Sequence, residues 1–392
     1  MKPFELFSAA RIVFGRGEVR RVGAFVAGAG RSCLVVYNGG APGDGGAVGR
    51  VSGLLESSGV GVHFVRQCGE PTVDDVERCV TVAREAACDV LVGLGGGSAI
   101  DAAKAVAGIL GNGGAALDYM EVIGKGQPLT RPAVPWVAVP TTAGTGAEVT
   151  RNAVLGDPGR HFKASLRSEL LLPRVALVDP ELGVGVPPGV TASSGMDALC
   201  QLVESYTSLN AQPITDALAM KGIELAVRSL RRAVADGADV DAREDMALAA
   251  LLSGITLTNA GLGAVHGFAA PLGANFPVPH GTVCAALLPH VMAANIAALR
   301  TQSLKHPVLA RYADVGRALC RQSGRDDLAT EAGVNEIAAM VADLRIPRLR
   351  EFGVTPTRVP EMVALARKSS SMRYNPVVLS DDALAEALSR AI

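Results

Sequence analysis

Three side chains in the second half of the chain, Asp197, His266 and His280, form the set with the greatest chemical potential. Asp197 lies in the stretch from Thr191 to Glu204, which opens on helix-capping residues and continues with helical spacing. Gln201 follows four residues later and so shares its face of the helix. His266 sits between Gly263 and Gly267, and His280 between Pro279 and Gly281, settings that let backbone approach closely. One carboxylate and two imidazoles are a usual ligand set for a catalytic divalent ion that keeps a position open for substrate. His63, His161, His290 and His306 lack such company and read as satisfied core residues.

A second constellation lies in the first half. The apolar run Val90 to Leu94 leads straight into Gly95, Gly96, Gly97, Ser98 and Asp101, and then into the helical stretch Ala102 to Leu110. Three glycines at a strand-to-helix turn remove every Cβ, so a pyrophosphate can lie against bare N–H groups at the positive end of a helix. The bland alternative is a tight turn in which Ser98 caps the helix and Asp101 is its capping-box partner. The spacing is not GxGxxG, and the loop follows the third predicted strand, not the first, so the common dinucleotide fingerprint is absent. The segment Pro140 to Thr150 adds the hydroxyls of Thr141, Thr142 and Thr145 at the end of another predicted strand, where ligands of open α/β sheets bind. Alternatively, that loop only satisfies its own backbone.

Elements that could position both groups are readable. Up to about residue 180, apolar runs at 33–37, 62–65, 90–94, 136–139 and 175–178 alternate with amphipathic stretches such as 72–87, the pattern of βαβ units around a parallel sheet. After Val186-Pro-Pro-Gly189 strand signals fade, and 214–234, 242–257, 283–298, 331–344 and 381–391 carry helical spacing. The expectation is an α/β domain over residues 1–183 and an all-α domain over 184–392. Gly39 to Gly49 reads as a flexible, glycine-rich loop.

The bulk numbers restrict the function classes. A formal net charge of -1 provides no basic field for nucleic acid. The most apolar long stretch, 246–276, is broken by polar residues and reads as a buried helix, so no membrane span is expected. Seven scattered cysteines without a CxxC pair argue against a disulfide framework, and the N-terminus lacks a signal-peptide pattern, so a cytoplasmic protein is expected.

Taken together, Gly95-Gly-Gly-Ser-Ala-Ile-Asp101, the threonine loop, Gly195-Met-Asp-Ala-Leu199 and the Val265-His-Gly and Pro279-His-Gly pair resemble the iron-containing, or group III, alcohol dehydrogenases over nearly the whole chain. The resemblance implies an N-terminal Rossmann-like dinucleotide domain and an all-α C-terminal domain, the dehydroquinate synthase-like fold. It implies that Gly96, Gly97 and Ser98 hold a pyrophosphate, that Thr141, Thr142 and Thr145 line the adenine and nicotinamide pocket, and that Lys163 and Leu182 border the ribose. Asp197, His266 and His280 match three of the family's four metal ligands. Two departures stand out: Gln201 and Ala270 occupy places where the family commonly has histidine, the first a ligand and the second a suspected proton relay. An amide oxygen is a weak neutral ligand, so Fe2+ affinity should fall, while an Asp/His/His Zn2+ site stays chemically complete. Asn38 stands where NAD-selective relatives often place an aspartate, so use of both NAD and NADP is expected.

The implied activity is hydride transfer between a nicotinamide and a small alcohol or its aldehyde or ketone, assisted by the ion, in a homodimer or higher homo-oligomer. Three alternatives are a metal-independent reductase of oxoacids resembling maleylacetate reductase, a lyase resembling dehydroquinate synthase, and a catalytically silent NAD-binding protein.

Overall fold

A computed structural model describes residues 3–160 and 162–392. The chain divides into an α/β unit, Phe7–Val186, and a helical unit comprising Pro187–Ile392 and the short stretch before Phe7. The first carries β1 (Ile12–Phe14), α1 (Val22–Ala27), β2 (Ser32–Tyr37), α2 (Ala47–Glu56), β3 (Gly61–Arg66), α3 (Val73–Glu85), β4 (Val90–Gly95), α4 (Gly97–Asn112) and α5 (Ala116–Tyr119). It continues with β5 (Trp136–Pro140), β6 (Asn152–Asp157), β7 (Phe162–Arg167) and β8 (Val175–Val178). The helical unit contains α6 (Pro188–Thr207), α7 (Pro213–Ala235), α8 (Val240–Ala260), α9 (Ala264–Asn275), α10 (His280–Gln302), α11 (Pro307–Cys320), α12 (Asp326–Asp343), α13 (Val359–Ala366) and α14 (Asp381–Ala391).

Six strands pair in parallel in the order β1-β8-β5-β4-β2-β3. The central strand β4 is buried along its length, with Val90, Leu91, Val92 and Leu94 wholly inaccessible. A strand covered on both faces must be a continuous apolar run, which is why the run ends where the glycines begin. Each such side chain contributes about 1.5–3 kcal/mol on burial, so the turn that follows β4 stands on a rigid platform. α3 starts at a capping box in which Thr72 accepts the Asp75 N–H and the Asp75 carboxylate accepts the Thr72 N–H.

Several expectations change. The three-residue β1 makes the glycine turn follow the fourth strand. β6 and β7 form a separate antiparallel hairpin in a region read as loop. The glycine-rich loop stops at Gly46, because the Asp44 carboxylate accepts the N–H groups of Ala41 and Gly46 and leads into α2, which contains Gly49. The apolar stretch 246–276 is no single helix: α8 and α9 meet at 102°. Among the described residues α10 alone is long and apolar enough to cross a membrane, and 72% of that apolar window is buried inside the structure. His63 is exposed on β3 and His306 accepts the Val308 N–H at the start of α11, so neither is a core residue; His161 lies outside the described residues.

Candidate active site

Three helices converge to build the cluster in the helical unit. Asp197 lies mid-way along α6, His266 in the first turn of α9, and His280 is the first residue of α10. Two glycines permit the approach. A Cβ on Gly281 would stand 2.3 Å from the Ser193 carbonyl oxygen, so α10 reaches α6 only with glycine there. A Cβ on Gly263 would stand 2.8 Å from both Glu204 Oε1 and Asn375 Oδ1, the acceptors that hold the N–H groups of Val265 and Ala264. The start of α9, and His266 with it, is thereby fixed.

His266 Nε2 lies 3.3 Å and His280 Nε2 3.5 Å from Asp197 Oδ1. That oxygen is buried and has no hydrogen-bond partner, while Asp197 Oδ2 accepts from Gln201 Nε2 at 3.4 Å. A buried, unsatisfied carboxylate oxygen costs about 1–3 kcal/mol or more, and two imidazole nitrogens aimed at one such atom is the arrangement a divalent ion resolves. The residues present therefore fit a metal. Burial works against a charge on either imidazole, yet the ionisable groups around them, Asp197 and Cys284 among them, prevail and hold both rings above their ordinary value. For Asp197 burial pushes the other way, and the two imidazoles overcome it and keep the carboxylate ionised.

Glu204 and Cys284 complete the surroundings, and neither was singled out from the sequence. Glu204 Oε2 is 2.6 Å from His266 Nδ1, so a proton on Nδ1 leaves Nε2 free as a ligand atom. Cys284, one turn after His280 on α10, places Sγ 3.6 Å from His266 Nε2 and 3.7 Å from His280 Nε2. The spacing His280-x-x-x-Cys284 was the available signal, since residues four apart share a helix face. Glu204 lies seven residues beyond Asp197, two turns along the same helix, a signal that becomes readable only once α9 is packed against α6. Gln201, expected as a weak ligand, lies beside Asp197 on α6. Its Oε1 accepts from Ser253 at 2.7 Å and its Nε2 faces Asp197 Oδ2 at 3.4 Å, so in this orientation the amide supports the carboxylate.

In the α/β unit the residues singled out around the glycine turn do assemble. Gly95 has φ +141 and a Cβ there would meet Asn38 Oδ1 at 2.0 Å. Asn38 accepts the Gly96 N–H at 2.9 Å and donates to Ser98 Oγ at 2.7 Å. Thr142 and Thr145 close the other side, at 3.2 Å and 2.7 Å from where Cβ atoms on Gly96 and Gly97 would be. Thr141 N–H is bonded to the Gly95 carbonyl. Bare backbone at the start of α4 is thus framed by side chains that a Cβ would displace, which fits an anionic group lying on it. The capping box proposed for Ser98 and Asp101 does not form: Gly96 is the N-cap and no side chain caps it. Asp101 instead accepts from Lys104 Nζ and from the Val154 N–H, tying α4 to β6. Lys163 lies on β7, 3.7 Å from Glu70. Leu182 is buried within the sheet's apolar core, so its side chain serves packing.

Residues 9–180 match the family described as iron-containing alcohol dehydrogenase, and residues 191–392 match its C-terminal part. Alcohol dehydrogenase 4 of Schizosaccharomyces pombe is 37% identical over 85% of this chain and 76% of its own length. A crystal structure of a 1,3-propanediol oxidoreductase superposes with a TM-score of 0.92 at 34% identity, covering all of both chains. A sulfoacetaldehyde reductase from Bifidobacterium kashiwanohense, solved in complex with NAD+, gives a TM-score of 0.83 at 28% identity over 99% of this chain and 98% of that one. The glycine turn, the clustered Asp197, His266 and His280, and these matches over both halves together place the chain in the iron-containing alcohol dehydrogenase family.

Proposed function

We propose that the chain interconverts a small alcohol and its aldehyde or ketone, with a nicotinamide dinucleotide as hydride carrier and a divalent ion held by Asp197, His266 and His280. The observation that carries this reading is the orphaned Asp197 Oδ1 facing two imidazole nitrogens at 3.3 and 3.5 Å. When bound, the ion supplies Lewis acidity that stabilises alkoxide character at the substrate oxygen. Glu204 accepts from His266 Nδ1, which leaves Nε2 as the ring atom that an ion would take in place of a proton. His280 has the most exposed side chain of the three, 34% against 7% and 2%, and marks the side from which substrate enters.

Residues Gly95, Gly96, Gly97 and Ser98, with Thr141, Thr142 and Thr145, receive the dinucleotide; Asp101 acts behind them through Lys104 and β6. Lys163 and the backbone around Leu182 border the ribose. Asn38 carries no charge, which leaves both NAD and NADP acceptable. At Ala270, one turn after His266, the chain offers no titratable group, so the substrate proton passes to solvent or to a ribose hydroxyl. The α/β and helical halves take nucleotide and metal roles respectively, in a cytoplasmic homodimer or higher homo-oligomer.

The experiment is a screen of NADH and NADPH oxidation over aldehydes, ketones and oxoacids, with metal content measured on the same preparation and the screen repeated after chelation. Turnover of an aldehyde or ketone that chelation abolishes is the expected result. Oxoacid turnover indifferent to chelation would favour the metal-independent reductase, and nucleotide binding without turnover the silent protein.

A further inference from the structure

We infer that Cys284 supplies, as thiolate, the fourth protein donor to the divalent ion, in place of Gln201, and that this donor set selects zinc over iron. The inference rests on the metal-assisted reading above and specifies its coordination.

Donor spacing is the first argument. Zinc bonds of about 2.0 Å to oxygen and nitrogen and about 2.3 Å to sulfur, arranged tetrahedrally, place a nitrogen and an oxygen donor about 3.3 Å apart and a nitrogen and a sulfur donor about 3.6 Å apart. Across the cluster, His266 Nε2 and His280 Nε2 lie 3.3 and 3.5 Å from Asp197 Oδ1. They lie 3.6 and 3.7 Å from Cys284 Sγ. Donor atoms from all four residues fall within 4.8 Å of one another. In the absence of an ion the same spacing lets the Cys284 thiol hydrogen-bond an imidazole nitrogen, and with an ion present it puts the sulfur at the vertex left for a fourth donor.

Asp197 Oδ1 is buried without a hydrogen-bond partner of ordinary geometry and faces the same two nitrogens, so positive charge at the centre of the cluster, whether a ring proton or a metal ion, is favoured there. Gln201 is turned away from this role, its carbonyl oxygen accepting from Ser253 and its amide nitrogen facing Asp197 Oδ2. Cys284 is fully inaccessible and reaches the cluster from one turn beyond His280.

Charge and softness then fix the consequence. On metal entry the S–H bond breaks, the S–metal bond forms and the proton leaves to solvent, so Asp197 and Cys284 together contribute two negative charges that balance a dication. A thiolate is a soft ligand and moves the preference from iron towards zinc, while a four-donor zinc site can still expand to a fifth position for substrate oxygen.

The test loads metal-depleted full-length protein with Co2+ and records absorption. Wild type is expected to show visible d–d bands together with a near-ultraviolet thiolate-to-cobalt charge-transfer band; Cys284→Ser and Cys284→Ala lose the charge-transfer band, and Cys200→Ser keeps it. In zinc-against-iron competition, Cys284→Ser should lower the zinc preference by about tenfold or more. Far-ultraviolet circular dichroism and melting temperature, unchanged in each variant, report that the helical unit is folded. Wild-type d–d bands without a charge-transfer band, or a band that survives in Cys284→Ser and disappears in Cys200→Ser, would overturn the assignment while leaving metal assistance intact. Failure of wild type to bind cobalt, zinc or iron at all would overturn the metal-assisted reading itself.

Discussion

Glu204 and His266 form the shortest hydrogen bond of the metal cluster, Oε2 to Nδ1 at 2.6 Å, while the other Glu204 oxygen accepts the Val265 N–H at 2.8 Å. One carboxylate thus fixes both the orientation of the ring and the backbone that carries it. Glu204→Gln retains an oxygen for one of these bonds and weakens control of the other. Metal affinity should fall about 10- to 100-fold, with melting temperature changed much less. Competition with a chromophoric chelator measures the first and calorimetry the second; unchanged affinity would reduce Glu204 to a packing role.

Much of the architecture was readable because it follows from simple periodicities. The fully buried β4 is a continuous apolar run, and α7 and α14 show the apolar spacing that places their extents within a few residues. What escaped has physical reasons. β1 is three residues long with Ile12 exposed, too short to set a pattern. The β6–β7 hairpin is held through long-range contacts, namely the Asp101 bond to Val154 and the Lys104 bond to the Asn152 carbonyl, which no local window contains. In the metal cluster, Asp197, His266 and His280 were legible through their setting and the family resemblance. For Gln201 helix spacing gives a face but not a rotamer, and the bond from Ser253 to its oxygen lies 52 residues away in sequence.

The proposed use of both cofactors rests on the uncharged Asn38. Its amide is engaged with the glycine turn, accepting from Gly96 and donating to Ser98. Asn38→Asp keeps an acceptor for the Gly96 N–H, lets Ser98 become the donor, and introduces a negative charge beside the turn. Wild type should discriminate between NADH and NADPH by less than about tenfold, or about 1.4 kcal/mol, and the variant should shift towards NADH by at least that factor. Paired Kd measurements decide it, and an unchanged ratio would remove Asn38 from the ribose site.

A second buried acid makes stability depend on pH. Burial raises Glu148 to about 7, against the smaller opposing pulls of its own backbone N–H and of Lys104. Between the ordinary carboxylate value and about pH 7 the folded chain keeps a proton that the unfolded chain has released, so stability falls as pH rises through that window. The loss reaches about 3 kcal/mol when the window has been crossed. Glu148→Gln, which cannot titrate, should flatten this part of the profile. Denaturant titrations of both proteins at about pH 5 and about pH 8 provide the check, and parallel profiles would contradict it.

The central claim is that Asp197, His266 and His280 act as one metal site serving hydride transfer, and His266→Ala tests it most directly. Removing this imidazole takes away a ligand that the hydrogen-bonded Gln201 cannot replace. Metal stoichiometry and turnover should fall together, turnover by about three orders of magnitude or more, because Lewis-acid stabilisation is worth several kcal/mol. Nucleotide affinity should stay at the wild-type value, since the glycine turn lies in the other unit. Metal content and turnover are therefore measured side by side on wild type and variant. Joint loss with intact nucleotide binding is the predicted result, and a His266→Ala protein that keeps its activity would contradict the account.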